Sequence, residues 1–169
     1  MAAPVVVPVE KYLSTSFDGS DREYVHGEVV ERSMGGVPHG DVQGQIVFLF
    51  RQVRRQQRWK AVVELRLRLN PDLYRIPDVC VYWSEPPNGD VPSNPPDVAI
   101  EVLSPDDRHA NVMSKFEEYR EFGIPHIWLV DPQRRRLSVF DAAGLRSVDR
   151  FELPGRAFQM TPDEIFETS

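Results

Sequence analysis

The chain has 169 residues, of which 41% are hydrophobic and 27% are charged. These values are ordinary for a globular protein and favour neither a disordered chain nor a membrane protein. The net charge of −6 argues against a protein that coats nucleic acid by bulk attraction, although it leaves room for a local basic face. We expect one compact domain over residues 1–169, because this length corresponds to about one domain with its own core.

The cysteine count and the N-terminal residues bear on the compartment. Cys80 is the only cysteine, so no internal disulfide can form, and no cluster of Cys and His has the spacing of zinc ligands. The early segment APVVVPVE is too short and too broken by proline for a signal peptide or a membrane-spanning helix. These features predict a cytoplasmic protein without a membrane segment.

The first half of the chain predicts a hairpin, a helix and a strand. Residues 1–20 are predicted to be a loosely packed lead-in, with a short helix near Val9 to Leu13. The segment REYVHGEVVERS predicts a hairpin that turns at His26-Gly27. From His39 to about Gln57, hydrophobic residues at helical spacing predict an amphipathic helix. The segment AVVELRLRLN alternates apolar with charged residues, which predicts one half-buried strand.

The second half predicts two central strands, a helix, a strand and a hairpin. IPDVCVYW and PDVAIEVL are short apolar runs bounded by proline, which is typical of strands buried on both faces. The next helix is expected from Asp106, with Asp106 or Asp107 as its cap, to Phe122 before Gly123. IPHIWLVD then predicts a strand, and LSVFDAAGLRSVDRF predicts a hairpin. This order of elements predicts an α/β fold with a mixed central sheet.

Two acidic residues, Asp78 and Glu101, interrupt the apolar runs of the two central strands. A buried ionised carboxylate is costly unless it is paired, protonated or bound to a metal. If the two strands are neighbours, the carboxylates converge, and together with a backbone carbonyl they suit Mg²⁺ or Mn²⁺. The alternative is a structural role, in which each acid binds backbone amides or an arginine.

A basic stripe on the first long helix is the other feature with more than one interpretation. Its members, Arg51, Arg54, Arg55 and Arg58, recur at the spacing that places them on one side of a helix. The stripe is either a solvated helix face or a set of phosphate contacts. At the start of the same helix, His39 is either a capping residue or an accessory site residue.

Three motifs, in a fixed order, carry a resemblance to a known family. RIPDVCVYW, then PPDVAIEVLSPDD, then the lysine in NVMSKFEEYREFGIPHIWLVDP resemble the signature of the Uma-type family of restriction endonucleases. The match begins at REYVHGEVVERS and covers nearly the whole chain. That family belongs to the PD-(D/E)XK nuclease superfamily, whose core is a helix, three strands, a second helix and a further strand. The resemblance therefore implies a restriction-endonuclease-like core with flanking hairpins.

The same resemblance implies roles for individual residues. Asp78 stands at the first acidic position of the superfamily motif and Glu101 at the second, whereas Leu103 stands where the superfamily carries a lysine. In the Uma-type family a lysine on the following helix is a candidate substitute, and here that residue is Lys115. Glu28 in HGEVV matches a further recurring position and is, like His39, an accessory candidate. The alternative for Lys115 is an exposed helix residue paired with a neighbouring glutamate.

Two residues depart from the family pattern. The family often has an acid at the position of Asn111 and a glutamate at that of His126. These departures concern the start of the second helix and the last core strand. They bear on how much activity this member retains.

The function implied by the resemblance is a metal-dependent endonuclease that hydrolyses phosphodiester bonds in DNA and leaves 5′-phosphates. Asp78, Glu101 and the carbonyl of Val102 would hold Mg²⁺ or Mn²⁺, and Lys115 would orient the attacking water or stabilise the developing charge. A homodimer is also implied. The alternatives are an inactive nuclease-fold protein that binds nucleic acid or serves as a scaffold, and a metal hydrolase with another substrate.

Overall fold

The fold is described from a computed structural model, which covers residues 6–166 except for the side chains of residues 54–57. In chain order its elements are α1 (Val9–Ser14), β1 (Glu23–Val25), β2 (Glu28–Val30), α2 (Val37–Gln57), β3 (Lys60–Val63), β4 (Leu67–Asn70), β5 (Leu73–Arg75), β6 (Val79–Tyr82), β7 (Val98–Val102), α3 (His109–Phe122), β8 (His126–Asp131), β9 (Arg136–Asp141), β10 (Gly144–Val148), β11 (Phe151–Glu152), β12 (Gln159–Met160) and α4 (Pro162–Phe166). Within the described residues, no helix is long and apolar enough to cross a membrane.

A six-stranded mixed sheet forms the centre of the molecule. Its strand order is β10-β9-β8-β7-β6-β3, and β7 and β8 run parallel while the other neighbours are antiparallel. The parallel pair requires a crossover connection, which α3 provides. The predicted α/β class with a mixed sheet is confirmed. The elements α2, β3, β6, β7, α3 and β8 follow the order of the expected nuclease core, with β4 and β5 inserted before β6.

The two central strands are buried because each of their faces is covered by a helix. In β6, Val79 and Val81 pack in the cluster that contains Phe50 of α2. Cys80 points to the other face and packs in the cluster that contains Phe116 of α3. Because successive side chains of a strand alternate between faces, burial on both sides requires an uninterrupted apolar run. The predicted two-sided burial of these strands is confirmed.

A second, four-stranded sheet with the order β2-β1-β5-β4 lies beside the cleft described below. The β1–β2 turn has positive φ angles at both His26 (50°) and Gly27 (93°), as a two-residue hairpin turn requires. On this sheet Tyr12 of α1, which is fully buried, stacks on Tyr24 and contacts Tyr74 edge-on. Within the predicted lead-in, Tyr12 therefore belongs to a core cluster, and Val7, Val9 and Phe17 pack against this cluster.

The prediction of one strand over AVVELRLRLN is wrong. This segment forms two strands in different sheets: β3 pairs with β6, and β4 pairs with β5. The chain breaks at Glu64, whose φ of 48° lies outside the extended region. Apolar and charged residues still alternate in the sequence beyond Glu64, because Leu67 of β4 is itself buried.

The start of α3 also differs from the prediction. The helix begins at His109 with Arg108 at its N-cap, and no side chain caps it. Asp107 instead accepts a hydrogen bond from the backbone N–H of Ser104 at 2.7 Å, within the turn before the helix. The predicted end is confirmed, since Gly123 follows the helix with a φ of 98°.

Candidate active site

A cleft of about 300 Å³ opens between the two sheets. Its walls come from the β1–β2 hairpin, the loop at residues 31–36, the start of β6, the end of β7 and the first two turns of α3. The residues lining it include Asp78, Glu101 and Lys115, which come from three separate elements. The structure therefore brings the three predicted catalytic residues to one place.

Strand register explains why the two carboxylates meet. The antiparallel pair β6–β7 matches Val79 with Ile100. Continuing this register by one residue places Asp78 opposite Glu101, on the same face of the sheet. The backbone N–H of Val102 also points to that side and donates a hydrogen bond to Oδ2 of Asp78 at 2.7 Å.

Asp78 is 4% exposed and is surrounded by donors. Nη2 of Arg32 lies 3.0 Å from its Oδ1, and Nε2 of His39 lies 3.3 Å from its Oδ2. Burial alone would raise the pKa of Asp78, but the hydrogen bonds from His39 and from the Val102 N–H outweigh it and lower the pKa. The same contact with Asp78 raises the pKa of His39 above its usual value. The structure thus places His39 at the site rather than merely at a helix end.

Glu101 has the opposite electrostatic environment. The Tyr119 hydroxyl donates a hydrogen bond to its Oε1 at 2.6 Å, and the Lys115 ammonium lies 3.5 Å from the same oxygen. Burial, assisted by the charges of Asp78 and Glu23, raises the pKa of Glu101 to about 7 despite the attraction of Lys115. Two neighbouring carboxyl groups with pKa values shifted in opposite directions are typical of a functional site.

Lys115 lies between two carboxylates in the second turn of α3. Its Nζ is 3.1 Å from Oε1 of Glu23 and 3.5 Å from Oε1 of Glu101. Burial would lower the pKa of Lys115, but Glu101 and Glu23 outweigh it and raise the pKa, so the ammonium is charged. The alternative pairing does not occur, because Glu117 binds Arg120 and Glu118 binds Arg75.

Two further charged residues form a buried network behind Lys115 that the sequence analysis missed. Glu23 of β1 is 3% exposed and accepts hydrogen bonds from Arg75 and from the backbone N–H of Ile76. Arg75 also binds Glu118 of α3 through Nε and Nη2. Arg75 stands among Leu73, Tyr74 and Ile76, which is the signal that identified Glu101, whereas Glu23 follows Asp21 and Arg22 and carries no such signal.

The donor set at this site suits a hard divalent cation. Asp78 and Glu101 supply carboxylates, and the carbonyl of Val102 points to the same edge as its N–H, toward Asp78. Oε2 of Glu101 accepts no hydrogen bond from a described residue, and among those residues the only buried side-chain polar atom without a partner is Nε1 of Trp59. Oε2 is therefore open to the cleft. Among the described residues, no group of three or more His, Cys, Asp or Glu side chains has metal-binding geometry, so the fit depends on the two acids, the carbonyl and water.

The remaining candidates lie at different distances from the cleft. Glu28 is exposed and lines the cleft edge. Arg51 and Arg58 are exposed, and neither lines the cleft. The side chains of Arg54 and Arg55 are outside the described residues. The basic stripe as a set of phosphate contacts therefore stays a prediction.

The two departures from the family pattern fall at opposite ends of the sheet. Asn111 lines the cleft. His126 pairs with Val98 at the start of β7, whereas the cleft lies beyond the other end of that strand. Only the departure at Asn111 therefore concerns the site.

Comparisons with known proteins give the family and the fold of the chain. A family model named Uma2 and described as "Putative restriction endonuclease" matches residues 9–164. A crystal structure from Anabaena variabilis ATCC 29413, titled as a "putative nuclease belonging to DUF820", superimposes with a TM-score of 0.83 at 23% identity and covers 96% of this chain and 98% of that chain. A search of curated proteins gives no match. Because the family model spans nearly the whole chain, from α1 to α4, the protein belongs to the Uma2 family.

Proposed function

We propose that this protein is an endonuclease that hydrolyses phosphodiester bonds in DNA with the help of a divalent cation. Membership of the Uma2 family supports an enzyme that acts on nucleic acid. The observation that carries the proposal is the convergence of Asp78, Glu101 and Lys115 at one cleft. No demand of core packing explains why three charged side chains from separate elements meet there.

In this proposal Asp78, Glu101 and the carbonyl of Val102 hold Mg²⁺ or Mn²⁺. When bound, such an ion lowers the pKa of a water molecule and offsets the charge on the phosphate. The Tyr119 hydroxyl fixes the carboxylate of Glu101, since it donates to Oε1 and leaves Oε2 free for a ligand.

Lys115 takes the role of the motif lysine, whose usual position is occupied here by Leu103. Its ammonium lies 3.5 Å from Oε1 of Glu101, so it can donate to a water or to a phosphate oxygen next to that carboxylate. Glu23 lies 3.1 Å from the same ammonium and limits its movement. Leu103, at the usual lysine position, is half-buried against the α3-side core and lines the cleft without supplying a charge.

A homodimer that brackets a duplex completes the proposal, and the family resemblance is what supports it. Light scattering at micromolar concentration should give twice the mass of one chain, which is 19.4 kDa. A mass of one chain in the presence and absence of DNA would contradict the dimer without affecting the proposed chemistry.

A second candidate function is nucleic-acid binding without cleavage. The observation that favours it is the occupation of Asp78 by Arg32 and His39, two groups that compete with a cation for this carboxylate. Under this alternative the cleft is a remnant of a nuclease site.

Incubation with supercoiled plasmid and Mn²⁺ or Mg²⁺ tests the proposal. The wild type should nick the plasmid, and Asp78→Asn, Glu101→Gln and Lys115→Met should each reduce the rate by about 100-fold or more. The matched control is Arg120→Gln, which removes an exposed cation from the same helix as Lys115. If the wild type and the Asp78 and Glu101 variants nick the plasmid at the same rate, these two residues have no role in cleavage. DNA binding in Ca²⁺ without nicking in either metal would favour the second candidate.

A further inference from the structure

We propose that the Arg32 guanidinium has two alternative partners. It binds Asp78 as long as no cation is bound there, and it binds a phosphate of the substrate once a cation has bound to Asp78. This inference rests on the proposed function, because it assigns a phosphate-binding residue to the same cleft. Arg32 belongs to the loop at residues 31–36, which joins β2 to α2 and has no regular secondary structure.

The guanidinium of Arg32 occupies a carboxylate that a cation at this site would need. Nη2 lies 3.0 Å from Oδ1 of Asp78, while Oδ2 already accepts the Val102 N–H at 2.7 Å. The Arg32 side chain is 11% exposed, so this is a largely desolvated pair and not a surface contact. A divalent cation and a guanidinium repel each other at one carboxylate. Binding of the cation to Asp78 therefore requires that Arg32 move away.

Arg32 is also the cleft arginine with donors to spare. Arg75 is fully committed, since Nε and Nη2 bind Glu118 and Nη1 binds Glu23. By contrast, among the described residues Arg32 has one contact of hydrogen-bond length, to Asp78, and a longer one of 3.8 Å from Nη1 to Glu64. A guanidinium has five N–H donors in a fixed fork that matches two phosphate oxygens. Arg32 can therefore bind a phosphate by giving up its short contact with Asp78.

The negative charge at the mouth of the cleft makes a positive side chain necessary for phosphate binding. Glu28 and Glu31 are exposed and line the cleft, and the whole chain carries a net charge of −6. A phosphate approaching this rim is repelled unless a positive group meets it. The loop that carries Arg32 is tethered across the cleft by the Ser33 hydroxyl, which donates to Oδ1 of Asp107 at 2.6 Å. When released from Asp78, Arg32 therefore stays at the mouth.

The first measurement is calorimetric titration of Mn²⁺ into the protein without DNA. Arg32→Gln should bind Mn²⁺ about tenfold more tightly than the wild type, because Asp78 no longer has a competing cation. The matched control is Arg22→Gln, which removes an arginine that pairs with Glu31 at 2.8 Å and does not line the cleft. This control corrects for the general effect of losing one positive charge near the site. Thermal unfolding checks that both variants are folded.

The second measurement is binding of a short DNA in Ca²⁺ at several salt concentrations. Arg32→Gln should bind about tenfold more weakly than Arg22→Gln, with a salt slope lower by about one released ion. Arg32→Lys should recover part of the affinity, because it restores the charge but not the fork.

The two measurements separate this inference from the proposed function. Mn²⁺ affinity in Arg32→Gln no higher than in Arg22→Gln would overturn the competition at Asp78. Tighter Mn²⁺ binding without weaker DNA binding would overturn the phosphate assignment. In both cases Mn²⁺ binding that is lost in Asp78→Asn leaves the proposed metal site intact. Absence of Mn²⁺ binding in the wild type and in Arg32→Gln would overturn the metal site and this inference together.

Discussion

At the scale of single residues, the cleft places like charges close together and compensates them unequally. Asp78 has Arg32, His39 and a backbone N–H as partners, whereas Lys115, the cation paired with Glu101, is shared with Glu23. The charged form of Glu101 is therefore the less favoured of the two. The sequence identified both acids because each interrupts an apolar run, but it gave no sign of this difference.

Because the pKa of Glu101 is raised, replacing Glu101 with a neutral residue should stabilise the folded protein at high pH. The pKa rises from its usual 4.5 to about 7 in the folded protein. Its contribution to stability is thus fully present below about pH 4.5 and is lost as the pH rises through about 7. In EDTA, Glu101→Gln should match the wild type at pH 5 and exceed its free energy of unfolding by about 1–3 kcal/mol at pH 8. Urea denaturation at the two pH values measures this difference.

The control for that experiment is Glu121→Gln, which removes an exposed carboxylate of α3. It should change stability by less than about 0.5 kcal/mol at both pH values. A loss of stability at pH 8 in Glu101→Gln would show that Lys115 depends on the charge of Glu101 more than on that of Glu23.

Replacing Lys115 with a neutral residue should strongly lower the stability of the folded protein. Lys115→Gln leaves Glu23 and Glu101 without their shared cation in a desolvated site, and this should lower the free energy of unfolding by on the order of 3 kcal/mol at pH 8. Arg120→Gln breaks an exposed pair with Glu117 on the same helix and should cost less than about 1 kcal/mol. Equal losses in the two variants, measured by urea denaturation, would contradict the buried role of Lys115.

At the scale of elements, periodicity identified the central strands and both long helices but not the break between β3 and β4. The alternating pattern of AVVELRLRLN fits the buried Leu67, but Val63, on the other side of Glu64, is 47% exposed. The positive φ of Glu64 leaves no mark in that pattern. The break sends β3 to the central sheet and β4 to the second sheet.

The positive φ of Glu64 predicts that a residue with high strand propensity at this position lowers the stability of the protein, whereas strand propensity alone would predict a gain. Glu64→Val would favour a continuous strand, but a β-branched residue is strained at a φ of 48°. It should lower the free energy of unfolding by about 1–2 kcal/mol. Glu64→Asn, which tolerates this backbone conformation, should be near neutral and controls for the loss of charge beside Arg32. Thermal unfolding of the two variants decides between one strand and two.

At the scale of the whole molecule, the cleft is assembled by elements that are distant in the chain. The hairpin supplies Glu23, its following loop supplies Arg32, and α3 supplies Lys115. Because Asp78 and Glu101 lie close together only in the folded protein, a cation held by these two residues would stabilise the folded state as a whole.

A thermal shift with Mn²⁺ tests this global effect. A ligand that binds only the folded state adds about 2.7 kcal/mol at 100 times its Kd. For a chain of this size we expect a rise in Tm of about 5–10 °C. EDTA should reverse the rise, and Asp78→Asn should not show it. A rise of the same size in Asp78→Asn would place the bound cation elsewhere.

Local patterns in the sequence were enough to predict the fold class, the two central strands and the pair of acids that interrupt them. These features follow from local rules, because burial on one face or two imposes a period on the apolar residues. Family resemblance added Lys115, which periodicity would have left on a helix surface.

The groups that surround those acids depend on how distant segments of the chain pack together. Arg32 contacts Asp78 from 46 residues away, and Arg75 contacts Glu23 across 52 residues. Such pairs depend on strand register and on the packing of one sheet against α3, and no local pattern encodes either. The pKa of Glu101, the occupation of Asp78 and the position of the Lys115 ammonium all depend on these long-range contacts.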